Sequence, residues 1–162
     1  IVSLCIAFRH QFLRKNSKEM SAYLAMLPTP SRRESLMNLI NAGTDAPQFA
    51  TAIKRYDRLF TEMEKQLSKS KWLVGNAFSL ADLSYIPYFT RFEHLKLLRL
   101  LNRRPNVREW YRQGKSRQSY TKAIADWENV DYLDVFDRNA PKEWARVADI
   151  LQVREDSGSD MP

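Results

Sequence analysis

Hydrophobic side chains recur every three or four positions along most of the chain, which is the spacing of one face of an α-helix. The longest such pattern follows Pro47 and runs through six apolar residues: Phe49, Ile53, Tyr56, Phe60, Met63 and Leu67. Charged residues fill most positions between them, so the pattern predicts about five turns of an amphipathic helix with one buried face. No segment alternates like a β-strand beyond a few residues, and we therefore predict an all-α chain of about seven or eight helices.

Prolines and capping residues predict where the first helices begin and end. Residues 1–27 carry apolar side chains at helical spacing, and Pro28 is expected to end this long or broken helix because proline lacks an amide donor. Ser31 is predicted to begin the second helix, with Glu34 three residues later completing a capping box. Gly43 is expected to end that helix in the left-handed conformation.

A second cluster of end signals predicts the start of a central helix. Ser79 occupies the N-cap position and Asp82 the third helical position, so their side chains can satisfy each other's backbone amides. Phe78 and Leu83 have the spacing of a hydrophobic staple across the same turn. Pro87 lies deep in this helix and predicts a kink or a local break.

Three further helices are predicted in the remaining part of the chain. One begins at Pro105, one covers residues 120–127, and the last begins at Pro141. The end of the chain is polar and acidic. The predicted organisation is one all-α domain over residues 1–152 and a disordered tail over residues 153–162.

Composition limits the fold further. A chain of 162 residues suits one domain, and its 4 glycines are too few for the many turns of a β-sandwich or barrel. No apolar run approaches the roughly 18 residues that span a bilayer, so no membrane partner is expected. The single cysteine, Cys5, excludes an internal disulfide and fits the cytoplasm. Because the chain begins with isoleucine, we expect it to be a piece of a longer protein.

Positive charge is concentrated in one segment. The net charge is +7, and residues 91–117 hold nine basic residues against two acidic ones. Phe92, Trp110 and Tyr111 lie among them and would suit base stacking. No helix-turn-helix, zinc-finger or RNP signature accompanies this charge, so we expect a solvated helical face and not a nucleic-acid partner.

Side chains that carry chemistry are few. The two histidines and one cysteine have none of the common metal-ligand spacings, so no metal is expected, and neither a phosphate-binding loop nor a G-x-S-x-G motif is present. His10 lies near Arg9, Arg14 and Lys15, and nearby cations favour a neutral imidazole. It is either a residue that binds an anionic group or a surface histidine that only forms hydrogen bonds.

The segment from Trp72 to Tyr120 resembles the C-terminal all-α domain of cytosolic glutathione S-transferases of the bacterial type. The matching residues are Gly75, Phe78, Ser79, Ala81, Asp82, Pro105 and Trp110, with a partial match over residues 117–120. Gln118 stands where proline is usual in the family. The resemblance covers about residues 1–125, and the predicted helix at Pro141 is an extension that does not map onto it.

The resemblance implies a function. In the family, the capping box at Ser79 and Asp82 and the staple of Phe78 and Leu83 are structural and help the central helix to fold. The catalytic residue and most glutathione contacts are expected in an N-terminal thioredoxin-like domain that is absent from this sequence. The chain would then be the electrophile-binding half of a glutathione transferase, inactive alone, in which glutathione thiolate attacks a small hydrophobic electrophile.

The resemblance also implies site residues and partners. The first helix is expected to line the electrophile cleft, so His10, Arg9 and Phe12 are candidate residues near glutathione or substrate, and Trp127 is expected to approach the cleft from the C-terminal side. Glutathione is the expected co-substrate, with the thioredoxin-like domain in cis, a homodimer, a cytoplasmic location and a role in detoxification. The electrophile and the type of reaction stay open.

A second function is compatible with the same resemblance. Domains of this type also occur as non-catalytic interaction modules in translation-factor and tRNA-synthetase assemblies. The basic segment over residues 91–117 is the feature that favours this alternative.

Overall fold

The computed structural model describes residues 1–153, and helices are the only regular secondary structure in that part of the chain. The protein is 78% helical and has no strand among these residues, which confirms the all-α fold class. The helices are α1 (Arg9–Leu13), α2 (Ser17–Ala25), α3 (Pro30–Ala42), α4 (Pro47–Leu67), α5 (Leu80–His94), α6 (Pro105–Lys115), α7 (Gln118–Ala123), α8 (Val130–Asn139) and α9 (Trp144–Leu151). None of the described helices is both long and apolar enough to cross a membrane.

The first predicted helix is broken into two. A π-helical turn at Leu4–Phe8 continues directly into α1, and the chain then leaves the helix before α2 begins. Asn16 caps α2, because its side-chain oxygen accepts from the Glu19 amide at 3.0 Å while the Glu19 carboxylate accepts from the Asn16 amide at 2.9 Å. This capping box supplies an independent helix start and fixes the position of the break.

Helix α3, which corresponds to the second predicted helix, has its N-cap two residues before the predicted N-cap. Thr29 is its N-cap and Pro30 its first helical residue, so the predicted N-cap at Ser31 and its capping box with Glu34 are wrong. Pro30 suits this position because its missing amide would have no partner in the first turn. Gly43 ends α3 as predicted and has a positive φ of 59°, but its ψ of −126° lies outside the left-handed helical region, so the predicted left-handed conformation is wrong.

Helix α4 confirms the clearest pattern in the sequence. It extends from Pro47 to Leu67 and buries five residues of the predicted stripe: Phe49, Ile53, Phe60, Met63 and Leu67. Phe60 lies at the centre of an aromatic cluster, with ring centroids 4.8 Å from Phe89 and 5.3 Å from Phe92 of α5. The core therefore lies between α4 and α5, with α6 closing it from a third side.

Helix α5 runs through Pro87 without ending. The predicted local break is wrong, because the helix is continuous from Leu80 to His94. Phe89 on its inner face is fully buried and packs edge to face against Trp110 of α6, with centroids 5.0 Å apart. Burial of this face against two helices holds the proline within a regular element.

The C-terminal third differs most from the sequence prediction. Residues 120–127 form the end of α7 and a 3₁₀ turn, Ala125–Trp127. Helix α8 was not predicted, because Phe136 is its only buried residue and gives little periodicity. Pro141 lies in a 3₁₀ turn before α9, which begins at Trp144. The predicted tail lies outside the described residues from position 154 onward.

Candidate functional site

The carboxylate of Asp82 joins three parts of the fold. Asp82 is 0% exposed, and its Oδ2 accepts from the Ser79 amide at 2.9 Å and the Ser79 hydroxyl at 2.7 Å. Its Oδ1 accepts from the Leu73 amide at 2.9 Å and from the Trp110 indole at 2.8 Å. The capping box predicted from the sequence is present in α5. Asp82 also holds the preceding loop and α6 in place.

The ionisation of Asp82 follows from these contacts. Burial raises the pKa of the carboxyl, but the hydrogen bonds from Leu73, Ser79 and Trp110 lower it by more, so the pKa lies below its ordinary value. Every oxygen of the carboxylate is occupied by a donor within the protein. Asp82 is therefore a folding determinant and has no free lone pair aimed at a ligand.

Two clefts lie beside the first residues of the chain and share Tyr56 as a wall. The smaller, which we name the α5 cleft, has a volume of 340 Å³. Its lining includes Ser3, Tyr56, Tyr88, Arg91, Phe92 and Leu95. The larger, which we name the α4 cleft, has a volume of 580 Å³. Its lining includes Gln48, Thr51, Arg55, Tyr56 and Leu59. Both volumes fall in the range of small-molecule sites.

The clefts combine apolar walls with hydroxyl groups and cations. Burial raises the pKa of Tyr56, with a smaller contribution from Tyr88, so the shared phenol stays protonated and can donate a hydrogen bond. Each cleft has one arginine in its lining, Arg91 in one and Arg55 in the other, and none of the described lining residues is acidic. An apolar molecule that carries a negative group matches this arrangement.

The candidate residues of the first helix lie outside both clefts. Arg9 donates to the Ile40 carbonyl at 2.6 Å and to the Asn41 carbonyl at 2.7 Å. Its side chain lies against Gly43, where an added Cβ would approach within 3.0 Å. Because these carbonyls are at the C-terminal end of α3, Arg9 neutralises that end of the helix.

The other candidates are more accessible. His10 is partly exposed on α1, and the Phe12 ring packs edge to face on Tyr23 at 5.2 Å. Trp127 is 79% exposed, and its indole nitrogen donates to the Lys122 carbonyl at 3.0 Å, which fixes the ring at the surface. The structure thus brings neither His10 nor Trp127 into the clefts, and their roles near a substrate stay predictions.

The two residues of the predicted staple, Phe78 and Leu83, lie in different surroundings. Phe78 packs edge to face on Trp72 at 5.0 Å, and the Arg117 guanidinium lies 3.9 Å from its ring centroid. Leu83 is 51% exposed. The Phe78–Leu83 staple stays a prediction, because the recorded contacts of Phe78 are with Trp72 and Arg117.

Residues 46–113, from the start of α4 to the end of α6, match the family model described as glutathione S-transferase, C-terminal domain. Over these residues the chain is similar to the C-terminal domain of glutathione S-transferases. The match covers most of the helices α4, α5 and α6 and includes Asp82 and Trp110. It therefore confirms the family resemblance found in the sequence.

Curated glutathione S-transferases from fungi, plants and bacteria are similar to the chain. Glutathione S-transferase hmp2 of Hypomyces subiculosus is 30% identical over 82 residues, which cover 51% of this chain and 39% of the relative. Glutathione S-transferase F13 of Arabidopsis thaliana is 33% identical over 70 residues, covering 43% and 32%. Glutathione S-transferase GstB of Escherichia coli K12 is 27% identical over 97 residues, covering 58% and 46%. The matches span less than half of these relatives, and no solved structure matches significantly.

The basic segment over residues 91–117 is extensively paired. Arg104 forms a 2.6 Å ion pair with Asp57, and Lys115 a 2.8 Å ion pair with Glu93. Three arginines lie over aromatic rings: Arg91 over Phe136, Arg99 over Trp144 and Arg117 over Phe78. The positive charge thus serves packing between helices. Neither this pairing nor the relatives favour the interaction-module alternative.

Candidate metal ligands do not cluster in the described part of the chain. No group of three or more histidine, cysteine, aspartate or glutamate residues among positions 1–153 is arranged to hold a metal ion. Cys5 is buried in the π-helical turn, and burial raises the pKa of its thiol to about 11, so it remains a neutral, packed side chain.

The cleft residues were not identified as a site from the sequence. Tyr56 was part of the predicted buried stripe of α4, and Arg91 was part of the basic segment. The structure brings them together across two helices. The only signal in the sequence was that Arg91 follows Tyr88 by one helical turn, which places both on one face of α5.

Proposed function

We propose that the chain is the electrophile-binding half of a glutathione S-transferase-like enzyme, in which the thiolate of glutathione attacks a small hydrophobic electrophile. The support for this proposal is the pair of clefts beside the first residues. They have apolar walls, four hydroxyl-bearing side chains and no lining carboxylate that would repel a thiolate: Ser3, Thr51, Tyr56 and Tyr88 carry the hydroxyls. A wall of this kind holds an apolar reactant beside a nucleophile.

The remaining chemistry belongs to a partner domain. A thioredoxin-like domain in cis would bind glutathione and lower the pKa of its thiol by hydrogen bonds or a local positive field. The present chain would position the electrophile and exclude water from it. We place the enzyme in the cytoplasm as a homodimer with a detoxifying role, by analogy with its relatives.

The coding sequence upstream of Ile1 provides the first test. We expect an in-frame thioredoxin-like domain there. The product that contains both domains should be retained on glutathione-agarose and eluted by free glutathione. It should also consume glutathione in the presence of a panel of apolar electrophiles, while the 162-residue chain alone shows neither property.

Two results would contradict the proposal. One is the absence of glutathione-dependent turnover in a folded two-domain product over the whole panel. The other is full turnover by the 162-residue chain without any partner domain, because the nucleophile-activating groups would then lie within it.

A further inference from the structure

We infer that the α5 cleft binds small apolar carboxylates and that Arg91 is the residue that holds the carboxylate group. The inference deepens the proposed function, because it gives the chemical class of molecule that this cleft accepts as an electrophile or ligand. The inference does not require the proposed function to be correct, because binding in the cleft requires no glutathione. Nothing in the family match assigns a role to Arg91.

The guanidinium of Arg91 is held in position without being neutralised. Its central carbon lies 4.7 Å from the centroid of the Phe136 ring, and Phe136 is only 1% exposed, so the ring is a fixed platform. No hydrogen bond or ion pair connects the Arg91 side chain to any other residue among positions 1–153. This contact with the ring takes up no N–H donor, so the guanidinium N–H groups are available for a bidentate contact with a carboxylate.

The acids around Arg91 are engaged elsewhere. Glu93 of the same helix binds Lys115 at 2.8 Å and accepts from the Tyr111 hydroxyl at 2.7 Å. Asp137, next to Phe136 on α8, pairs with Lys96 at 2.6 Å. A carboxylate ligand therefore faces no competition from a protein carboxylate for the Arg91 edge.

His94 and its partner also leave this edge free. His94 lies one turn beyond Arg91 on α5, and its Nε2 is 3.1 Å from Glu128. The Glu128 carboxylate is thus occupied by the imidazole and does not neutralise Arg91.

The remaining lining matches the apolar part of such a ligand. Phe92 of α5, Leu95 just after that helix and Val2 of the first segment are buried and form the inner wall. Tyr56 and Tyr88 place phenolic hydroxyls at the cleft, where they can donate to a carboxylate oxygen held by Arg91. A volume of 340 Å³ accommodates a bicyclic aromatic acid but not a large polyanion.

A matched pair of compounds tests the inference with the 162-residue chain. Naphthalene-1-acetate and naphthalene-1-acetamide share one apolar body and differ in charge. By titration calorimetry we expect the carboxylate to bind roughly tenfold or more tightly than the amide, since a bidentate arginine–carboxylate contact contributes on this scale. The substitution Arg91→Gln should bring the two affinities to within about twofold of each other.

Control variants separate the anchor from general charge and from folding. Arg99→Gln removes an arginine that also lies over an aromatic ring, 5.6 Å from Trp144, but that does not line the α5 cleft. This variant should keep the full preference for the carboxylate. Arg91→Lys retains the charge without the planar edge and should show an intermediate preference, and it replaces Arg91→Gln if the latter loses the parent helical circular dichroism.

Each outcome decides the inference. Equal affinity for acid and amide in the parent chain, a preference that survives Arg91→Gln, or no binding of either compound would overturn it. If the carboxylate preference holds while the two-domain product shows no glutathione-dependent turnover, the proposed function fails and the inference about the cleft stands. If the two-domain product turns over glutathione but the carboxylate preference is absent, the proposed function stands and the inference about Arg91 fails.

Discussion

The indole nitrogen of Trp110 donates a 2.8 Å hydrogen bond to Oδ1 of Asp82, 28 residues earlier in the chain. Trp110 is 1% exposed and Asp82 is 0% exposed, so the bond lies wholly inside the protein. It ties the first turn of α5 to the middle of α6, while Leu73 brings the preceding loop to the same oxygen. A capping box at the start of one helix thus also fixes the position of a second helix.

Substitution of Asp82 by alanine should destabilise the fold strongly. It would leave the Trp110 indole and the amides of Leu73 and Ser79 without their acceptor, at a cost of about 2–4 kcal/mol. Thermal denaturation should show a Tm lower by roughly 5–15 °C. Asp126→Asn, at an exposed position, should leave the Tm within about 1 °C of the parent. An unchanged Tm in Asp82→Ala would contradict the role of this carboxylate.

Acidification should act through the same carboxylate. The pKa of Asp82 is lowered in the folded state, so its stabilisation is fully present above the unfolded-state pKa of about 3.9 and is lost as pH falls through the lower folded pKa. Glu93 behaves alike, because its bonds to Lys115 and Tyr111 outweigh the effect of burial and lower its pKa. We expect urea denaturation to show little contribution from these groups to pH dependence above pH 5 and a steep loss of stability below pH 4. Below pH 4, the free energy of unfolding should fall less steeply with decreasing pH in Asp82→Asn than in the parent.

The carboxylate of Glu64 on α4 caps the start of α6. It accepts from the Asn106 amide at 3.2 Å and from the Val107 amide at 2.9 Å, and no side chain within α6 itself caps this end. Glu64→Gln should cost about 1 kcal/mol, as does the loss of an N-cap. Glu62→Gln, two residues earlier and exposed, should cost less than about 0.5 kcal/mol in the same denaturation series. Equal costs would show that Glu64 contributes only surface charge.

Gly114 permits α5 and α6 to approach closely. A Cβ at this position would lie 2.7 Å from Cδ1 of Ile86. Gly114→Ala should therefore destabilise by about 1–2 kcal/mol despite its better helix propensity. In an Ile86→Val background, which removes Cδ1, the same change should be neutral or stabilising. Additive effects in this double-mutant cycle would exclude the contact as the cause.

Arg9 and His10 should respond differently to substitution. Arg9→Met removes two hydrogen bonds to carbonyls at the end of α3 and should lower stability by about 1–2 kcal/mol.

His10→Ala should leave the Tm nearly unchanged and alter turnover or co-substrate affinity in the two-domain product. Kinetics identical to the parent would remove His10 from the candidate site.

Local patterns in the sequence predicted much of the fold because they depend on neighbouring residues alone. The stripe of α4 and the helix start at Ser79 follow from spacing and from caps within a few residues. Two predicted helix boundaries are wrong, one because neighbouring residues supply a different helix start and one because contacts with distant residues keep a helix intact. Thr29 and Pro30 replaced Ser31 at the start of α3, and packing on two sides kept Pro87 inside α5.

The candidate site was less predictable than the fold. The family resemblance makes Arg9 a candidate cleft residue, but a carbonyl pair more than 30 positions away binds its guanidinium. Arg91 looks like one of nine basic residues in a solvated segment, and only the folded chain shows that it lies over Phe136 at the edge of a cleft. These assignments require contacts between residues far apart in the chain, which spacing does not encode.

The sequence by itself determined that the protein is helical, where its central helix begins and which family it resembles, because short-range capping, periodicity and motif order carry that information. Only the tertiary structure decided what Asp82, Arg9 and Arg91 contact. The chemistry of a polar side chain is set by the donors, acceptors and rings that surround it. In this protein those partners come from other helices.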